Sequence, residues 1–271
     1  NNRRFGSFTR DLNEICEWLV DCGIDTAAME ATGIYWIPLF FKLKESGIDV
    51  ILVNAHEVKN ISEKKTDEAD AEWLMLLHTY GLLKASYQPE NEARQVRNLA
   101  RHRSNILKSA GKEVQHMQKA MEQMNIKLSN VLSDIVGKSG RAIIDAILKG
   151  ERRPEVLAQL ADGRCKRSKK DIALSLEGTW DEDHLFELKQ AYDLYKYLQT
   201  QMTECDHKIE ELLMSYAAVV DTDMSGLVKC NKTICKKNAV DFDVEKYGYA
   251  IWGINPMTIP GMSAGSVLQL I

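Results

Sequence analysis

The sequence has little that would point to a membrane or to secretion. No apolar run in its 271 residues approaches the roughly 20 needed to span a bilayer, and no signal-like segment opens the chain. The six cysteines are scattered, and the closest pair, Cys230 and Cys235, has no histidine nearby to complete a zinc site. These absences lead us to expect a cytoplasmic protein with reduced thiols and no membrane partner.

The sequence also lacks a large excess of either charge. It has 35 Lys and Arg and 39 Asp and Glu, which gives a formal net charge of −4. On average, a slightly acidic chain argues against a nucleic-acid binder. Hydrophobic residues make up 45% and charged residues 27%, which excludes a disordered chain, and the length of 271 residues favours about two globular domains. The average hides segregation, however, since the basic residues gather in two clusters.

Predicted strands and helices alternate in the first 60 residues. Residues 4–9, 24–32 and 49–54 are the predicted strands, and the segments between them have apolar residues at helical spacing. Strands separated by short helices are typical of a parallel α/β sheet.

From residue 66 onward the pattern becomes helical. Apolar residues step by three and four from Leu107 to Ile135, and again from Leu188 to Val219. Each series predicts one long helix with a coiled-coil seam. Two such helices joined by short helical pieces predict an antiparallel hairpin, or a seam for another subunit.

Three carboxylates are candidates for a metal site. Glu30 lies near the carboxyl end of an apolar predicted strand, where open α/β sheets gather their ligands. Thr66 is a predicted N-cap, which puts Asp67 and Asp70 on one face of the first helical turn. Such hard oxygens suit Mg²⁺, and paired ions would clamp the oxygens exchanged in phosphodiester cleavage. The alternatives are that Glu30 only caps the turn at Gly33, and that Asp67 and Asp70 only stabilise the start of their helix by interacting with the helix dipole.

Lysine and arginine are concentrated at residues 91–119 and 164–170. The first cluster forms a cationic stripe on one predicted helix, and the second contains no acid. Neighbouring cations repel one another and favour a polyanion, most simply nucleic-acid phosphates, although a solvated helix face is the alternative. The residues assigned to nucleic-acid binding are Lys65, Arg94, Arg97, Arg101, Arg103, Lys108, Lys112, Arg164, Lys166, Arg167, Lys169 and Lys170.

Several short motifs follow one another along the chain: Met29-Glu30-Ala31-Thr32-Gly33, Lys65-Thr66-Asp67-x-x-Asp70-Ala71, residues 238–243, and Ile259-Pro260-Gly261. In this order they resemble the DEDD transposases of the insertion sequence 110/1111 family. The resemblance implies an α/β plus α fold in four parts. They are a RuvC/RNase H-like catalytic domain without its first strand at 1–87, a long antiparallel coiled-coil helical region at 88–220, a linker at 221–255, and the start of a truncated C-terminal helical transposase domain at 256–271.

The resemblance also implies the chemistry. Four acids bind Mg²⁺ in that family, and Glu30, Asp67 and Asp70 match the second, third and fourth. The first aspartate and the nucleophilic serine are expected outside this chain, so the chain is expected to be catalytically incomplete. An element-encoded guide RNA, donor and target DNA, and a homodimer or homotetramer are the implied partners.

Two other functions share some of these residues. A RuvC-like Holliday-junction resolvase would have the same acids but would attack with water, and it needs neither the long helical insert nor the Ile259-Pro260-Gly261 motif. A non-catalytic coiled-coil nucleic-acid-binding scaffold would use the acids only to cap helices. Metal-dependent cleavage by the full-length protein separates these alternatives.

Overall fold

The computed structural model describes residues 3–56, 58, 66–89, 91–218, 224–230 and 237–271. The chain divides into two compact units, 1–89 and 90–271, and each has its own buried core. No helix within these described ranges is long and apolar enough to cross a membrane. Lys65 and Cys235, which the sequence analysis singled out, lie outside the described residues.

The described residues of the N-terminal unit form a small parallel sheet and three helices. Its elements are α1 (Thr9–Asp21), β1 (Thr26–Glu30), α2 (Trp36–Glu45), β2 (Asp49–Val53) and α3 (Asp67–Thr79). The two strands pair in parallel, with Thr26 opposite Asp49 and Glu30 opposite Val53. Phe40, Leu43 and Leu52 are the centre of the core, in which the apolar strand β2 packs against helices.

The prediction of a strand at residues 4–9 is wrong. The backbone N–H of Phe8 donates to Asp11 Oδ2 at 3.0 Å, so this stretch serves to begin α1. A Cβ on Gly6 would lie 2.1 Å from the same carboxylate oxygen, so a larger residue would displace Asp11. Local bonding between a side chain and the backbone therefore outcompetes a short polar strand.

Two long helices form the frame of the second unit. They are α4 (Asn91–Gln123) and α9 (Glu182–Ala218). They lie antiparallel, because Val96 near the start of α4 shares a core with Leu213 near the end of α9. Farther along α4, Ile106 packs with Met202.

Helix α4 ends about three turns before the end of its predicted seam. Asn125 has a φ of 59°, a left-handed conformation that stops an α-helix. The backbone then turns toward Thr179, whose N–H donates to the Met124 carbonyl at 3.0 Å. Leu128 and Ile135, which the seam predicted as buried, are still buried in the same core.

Four short helices form the tip between the long ones. They are α5 (Leu128–Val131), α6 (Lys138–Leu148), α7 (Pro154–Gln159) and α8 (Lys169–Leu174). Ile143, Ile147, Leu157 and Ile172 are completely buried between them. The tip is thus a packed layer that shares the hydrophobic core of the two long helices.

The C-terminal residues pack on the base of the α4–α9 pair. Helix α10 (Val244–Trp252) lies in the range predicted as a linker, and α11 (Ala264–Leu270) follows two short 3₁₀ turns at Met224–Gly226 and Pro256–Thr258. Tyr247 and Val267 are buried in one cluster with residues of both long helices.

Candidate nucleic-acid interface and acidic positions

Glu30 is the last residue of β1, at the carboxyl end of the parallel sheet. Its side chain is exposed and accepts a hydrogen bond from the Thr32 hydroxyl. The strand therefore presents this carboxylate to solvent in place of burying it, and no large desolvation cost has to be offset.

Asp67 and Asp70 lie in the first turn of α3, as predicted. Thr66 caps this helix, because its hydroxyl accepts from the Ala69 N–H at 3.2 Å. Both aspartates are exposed. The neighbouring acid, Glu68, instead pairs with Arg4, and hydrogen bonding to that guanidinium lowers the pKa of Glu68.

The three acids belong to one unit but do not form a closed cluster. Helix α3 contacts β1, and its last turn is tied to the start of the strand by a hydrogen bond between His78 and Thr26. Within the part of the chain that the structure describes, no three His, Cys, Asp or Glu side chains are grouped to hold a metal ion. The residues present therefore do not fit a complete Mg²⁺ site.

Arg103 lies inside the protein, where the sequence predicted a phosphate contact. It is 8% exposed, and its guanidinium forms a two-pronged ion pair with Asp206, with Nη2 2.9 Å from Oδ2. The same group donates to the carbonyls of Asn238 at 3.3 Å and Ala239 at 2.9 Å. Burial raises the pKa of Asp206, and the hydrogen bonds from Arg103 oppose that rise. Arg103 thus joins both long helices to the C-terminal segment.

Two other arginines of α4 also have protein partners. Arg97 Nε donates to the carbonyl of Gln269 at 2.9 Å and so holds the end of α11. Arg94 Nη2 donates to Asn91 Oδ1 at 2.6 Å, within the first turn of its own helix.

Arg101, Lys108 and Lys112 form the outward stripe of α4. All three are exposed, and none makes an ion pair or hydrogen bond with any residue that the structure describes. Their spacing of seven and four residues places them along one side of the helix, over roughly 16 Å at 1.5 Å per residue. This outward stripe can contact successive phosphates of a nucleic-acid backbone.

The second basic cluster, like the first, contains both cations with protein partners and exposed cations without one among the described residues. Arg164 Nε lies 3.1 Å from Asp162 Oδ1, and Lys169 Nζ donates to the Gln159 carbonyl at 3.2 Å. Hydrogen bonding from Arg164 holds the pKa of Asp162 well below its usual range. The remaining cations of this segment, Lys166, Arg167 and Lys170, are exposed without a hydrogen bond or close ion pair to the described chain.

The comparison with protein families favours the first of the three functions considered above. The family model of the IS110 DEDD transposases, described as "Transposase", matches residues 1–126. The N-terminal part of the chain is thus similar to the IS110 DEDD transposases. A comparison with curated proteins found no match.

The transposase family supports a DNA-acting recombination function for the chain. The matched region contains the three candidate acids and the outward stripe of α4. Its helical part and its two-stranded parallel sheet are compatible with the α/β plus α fold that the resemblance implied.

Two features of this chain were not predicted from its sequence. Asp206 is the buried partner of Arg103, and the available signal was its position next to Cys205 in the apolar seam of α9. Lys138 lies beside Arg164 because both contact Asp162. No spacing in the sequence could have revealed that contact, since it depends on how the tip folds.

Proposed function

We propose that the chain is the nucleic-acid-binding part of an insertion-sequence transposase, and that it also supplies three of the four acids of a Mg²⁺-dependent recombination site. The observation that carries the proposal is the family match over residues 1–126. This range contains Glu30, Asp67 and Asp70 together with the outward stripe of α4.

The exposed positions of the acids support their role. A metal-binding carboxylate must be accessible, and Glu30, Asp67 and Asp70 all are. None of the three is held by an ion pair within the described chain, whereas the adjacent Glu68 is paired with Arg4. In this proposal Glu30, Asp67 and Asp70 would hold Mg²⁺ together with a fourth carboxylate, and the ion would supply electrostatic stabilisation of charge on phosphate oxygens.

The nucleic-acid partners are an element-encoded guide RNA and the donor and target DNA. The outward stripe would bind backbone phosphates, which carry no sequence information. Base pairing with the RNA would then select the DNA sequence. In this proposal the protein acts in the cytoplasm as a homodimer or homotetramer.

The nucleophile in this proposal is a serine outside these residues. Ser263 is the serine nearest the Ile259-Pro260-Gly261 motif, but its hydroxyl accepts from the Ser266 N–H at 3.2 Å and caps α11. That structural use agrees with leaving Ser263 unassigned.

Recombination by the full-length protein tests the role of the acids. We expect Glu30→Gln, Asp67→Asn and Asp70→Asn each to lower the recombination rate at least about 100-fold, because each removes a charged metal ligand. Glu72→Gln is the matched control, since Glu72 is an exposed acid on the next turn of α3. The proposal fails if the Asp67 and Asp70 variants recombine as fast as the control.

A further inference from the structure

A cleft opens at the tip of the helical unit. Its walls are α5, the turn that leads into α6, and the segment at 162–167, and its volume is about 520 Å³. The polar side chains in the walls that matter here are those of Asn130, Ser133, Lys138, Arg164, Lys166 and Arg167.

The walls of this cleft are held in place by local contacts. The N–H of Asp162 donates to Ser139 Oγ at 2.9 Å and joins the two sides. A Cβ on Gly140 would lie 1.9 Å from the Ile135 carbonyl oxygen, so only glycine permits the turn to pack this closely on α6. A site with fixed walls loses little conformational entropy when a ligand binds.

The cleft carries an excess of positive charge. Asp162 is shared by Lys138 at 3.4 Å and Arg164 at 3.1 Å, and Asp134 is paired with Lys237 at 2.8 Å. Both acids in the walls are therefore already neutralised by neighbouring cations. Lys166 and Arg167 add two further positive charges that no close ion pair among the described residues offsets, so the cleft favours an anion.

Uncharged polar groups lie beside these cations. Ser129, Asn130 and Ser133 line the cleft, and their side chains make no hydrogen bond to another described residue. Hydroxyl and amide groups next to Lys and Arg are the usual contacts of phosphate and sugar oxygens. No aromatic side chain lines the described walls, so base stacking is not the mode of binding.

We propose that this cleft binds the sugar-phosphate backbone of a bent single strand of nucleic acid, with phosphate on Lys166 and Arg167 and sugar oxygens on Asn130 and Ser133. The inference rests on the proposed function, since it takes nucleic acid as the partner. Bending a duplex, whose persistence length is about 150 base pairs, costs several kcal/mol, whereas a single strand can follow a concave cleft without that elastic cost.

The test measures the affinity of three labelled ligands by fluorescence anisotropy. They are an oligouridine, an oligodeoxythymidine of the same length, and a blunt DNA duplex. Lys166→Ala should weaken both single strands about 3- to 10-fold and lower the slope of log K against log salt by about 0.7. Lys149→Ala is the matched control, because Lys149 is an exposed lysine of the tip that lies outside the cleft and outside both basic clusters.

The paired variant Asn130→Ala with Ser133→Ala tests the neutral groups. It should weaken the single strands about 2- to 10-fold and leave the duplex unchanged. If the affinities for oligouridine and oligodeoxythymidine fall equally, the cleft contacts the phosphate and sugar oxygens that RNA and DNA share. If the affinity for oligouridine falls more, the cleft also contacts the 2′-hydroxyl of RNA. Unchanged circular dichroism and melting curves show that each variant is folded.

Two results would overturn this inference, and they are distinguishable from failure of the proposed function. The cleft is excluded if Lys166→Ala and Lys149→Ala weaken all three ligands alike, or if the Asn130 and Ser133 pair has no effect. In both cases the unmodified protein still binds nucleic acid, so the proposed function stands. If the unmodified protein binds none of the ligands, the proposed function itself fails.

Discussion

The N-terminal unit and the helical unit treat their charged residues differently. In residues 1–89 the candidate acids lie exposed at the ends of β1 and α3. In residues 90–271 some cations are buried and others are exposed: Arg103 is buried against Asp206, whereas Arg101 is exposed. These two arginines are about 200° apart around α4 at 3.6 residues per turn. A charge cluster in a long helix therefore serves both the core and the surface.

The largest expected effect is on the buried side of this comparison. Arg103→Ala leaves Asp206 buried without its partner, and we expect it to lower the free energy of unfolding of the helical unit by about 3–5 kcal/mol. Urea unfolding followed by circular dichroism measures this loss. Arg101→Ala is the control and should change stability by less than about 0.5 kcal/mol. Equal losses of unfolding free energy in the two variants would contradict the assignment of Arg103 to the core and Arg101 to the surface.

The packing of the tip gives the next effect. Gly140→Ala places a methyl group against the Ile135 carbonyl and should destabilise the helical unit by about 1–3 kcal/mol. Gly111→Ala, in an open part of α4, should stabilise it by about 1 kcal/mol. Thermal melting should show a lower melting temperature for Gly140→Ala and a higher one for Gly111→Ala. A higher melting temperature for Gly140→Ala would show that the Ile135 carbonyl leaves space for a methyl group.

A smaller effect is expected at the acidic end of α3. Thr66→Ala removes the cap from the Ala69 N–H and should destabilise the N-terminal unit by about 1 kcal/mol. Thr66→Ser keeps an oxygen at the cap and should lose less. Hydrogen exchange of the first turn of α3 measures the difference. Identical exchange in both variants would mean that the cap does not hold this turn.

The smallest effect concerns one surface ion pair. Hydrogen bonding from Arg153 lowers the pKa of Glu151 to about 2. The stabilisation that this ion pair gives the folded state is therefore fully present above the ordinary pKa of a glutamate and is lost as the pH falls toward 2. Arg153→Ala should return the pKa of Glu151 toward the ordinary value of about 4.3. An NMR titration of the Glu151 carboxyl checks this. Lys149→Ala should leave the titration unchanged, and a Glu151 pKa near 2 without Arg153 would refute the cause.

Local sequence patterns predicted most of the elements around the site. The β-branched run at 49–54 gave β2, and Thr66 gave the start of α3, because short-range propensities and capping determine both. The described seam residues of α4 and α9 are buried or partly buried, as their helical spacing indicated.

The features that the sequence did not predict depend on contacts between distant residues. The inward direction of Arg103 follows from Asp206 and two carbonyls of the C-terminal segment. The end of α4 follows from the left-handed Asn125 and its packing against the segment near Thr179. Whether the three acids complete a metal site depends on a fourth carboxylate, which no spacing within these residues supplies.

The salt dependence of nucleic-acid affinity tests the central claim most directly. Combined substitution of Arg101, Lys108 and Lys112 by alanine should reduce the slope of log K against log salt by about 2–3, since each lost phosphate contact removes about 0.7–0.9. The control replaces Lys189, Lys196 and Lys208, exposed lysines of α9 that are paired with acids, and should leave the slope nearly unchanged. Equal slopes for the two triple variants would contradict the account.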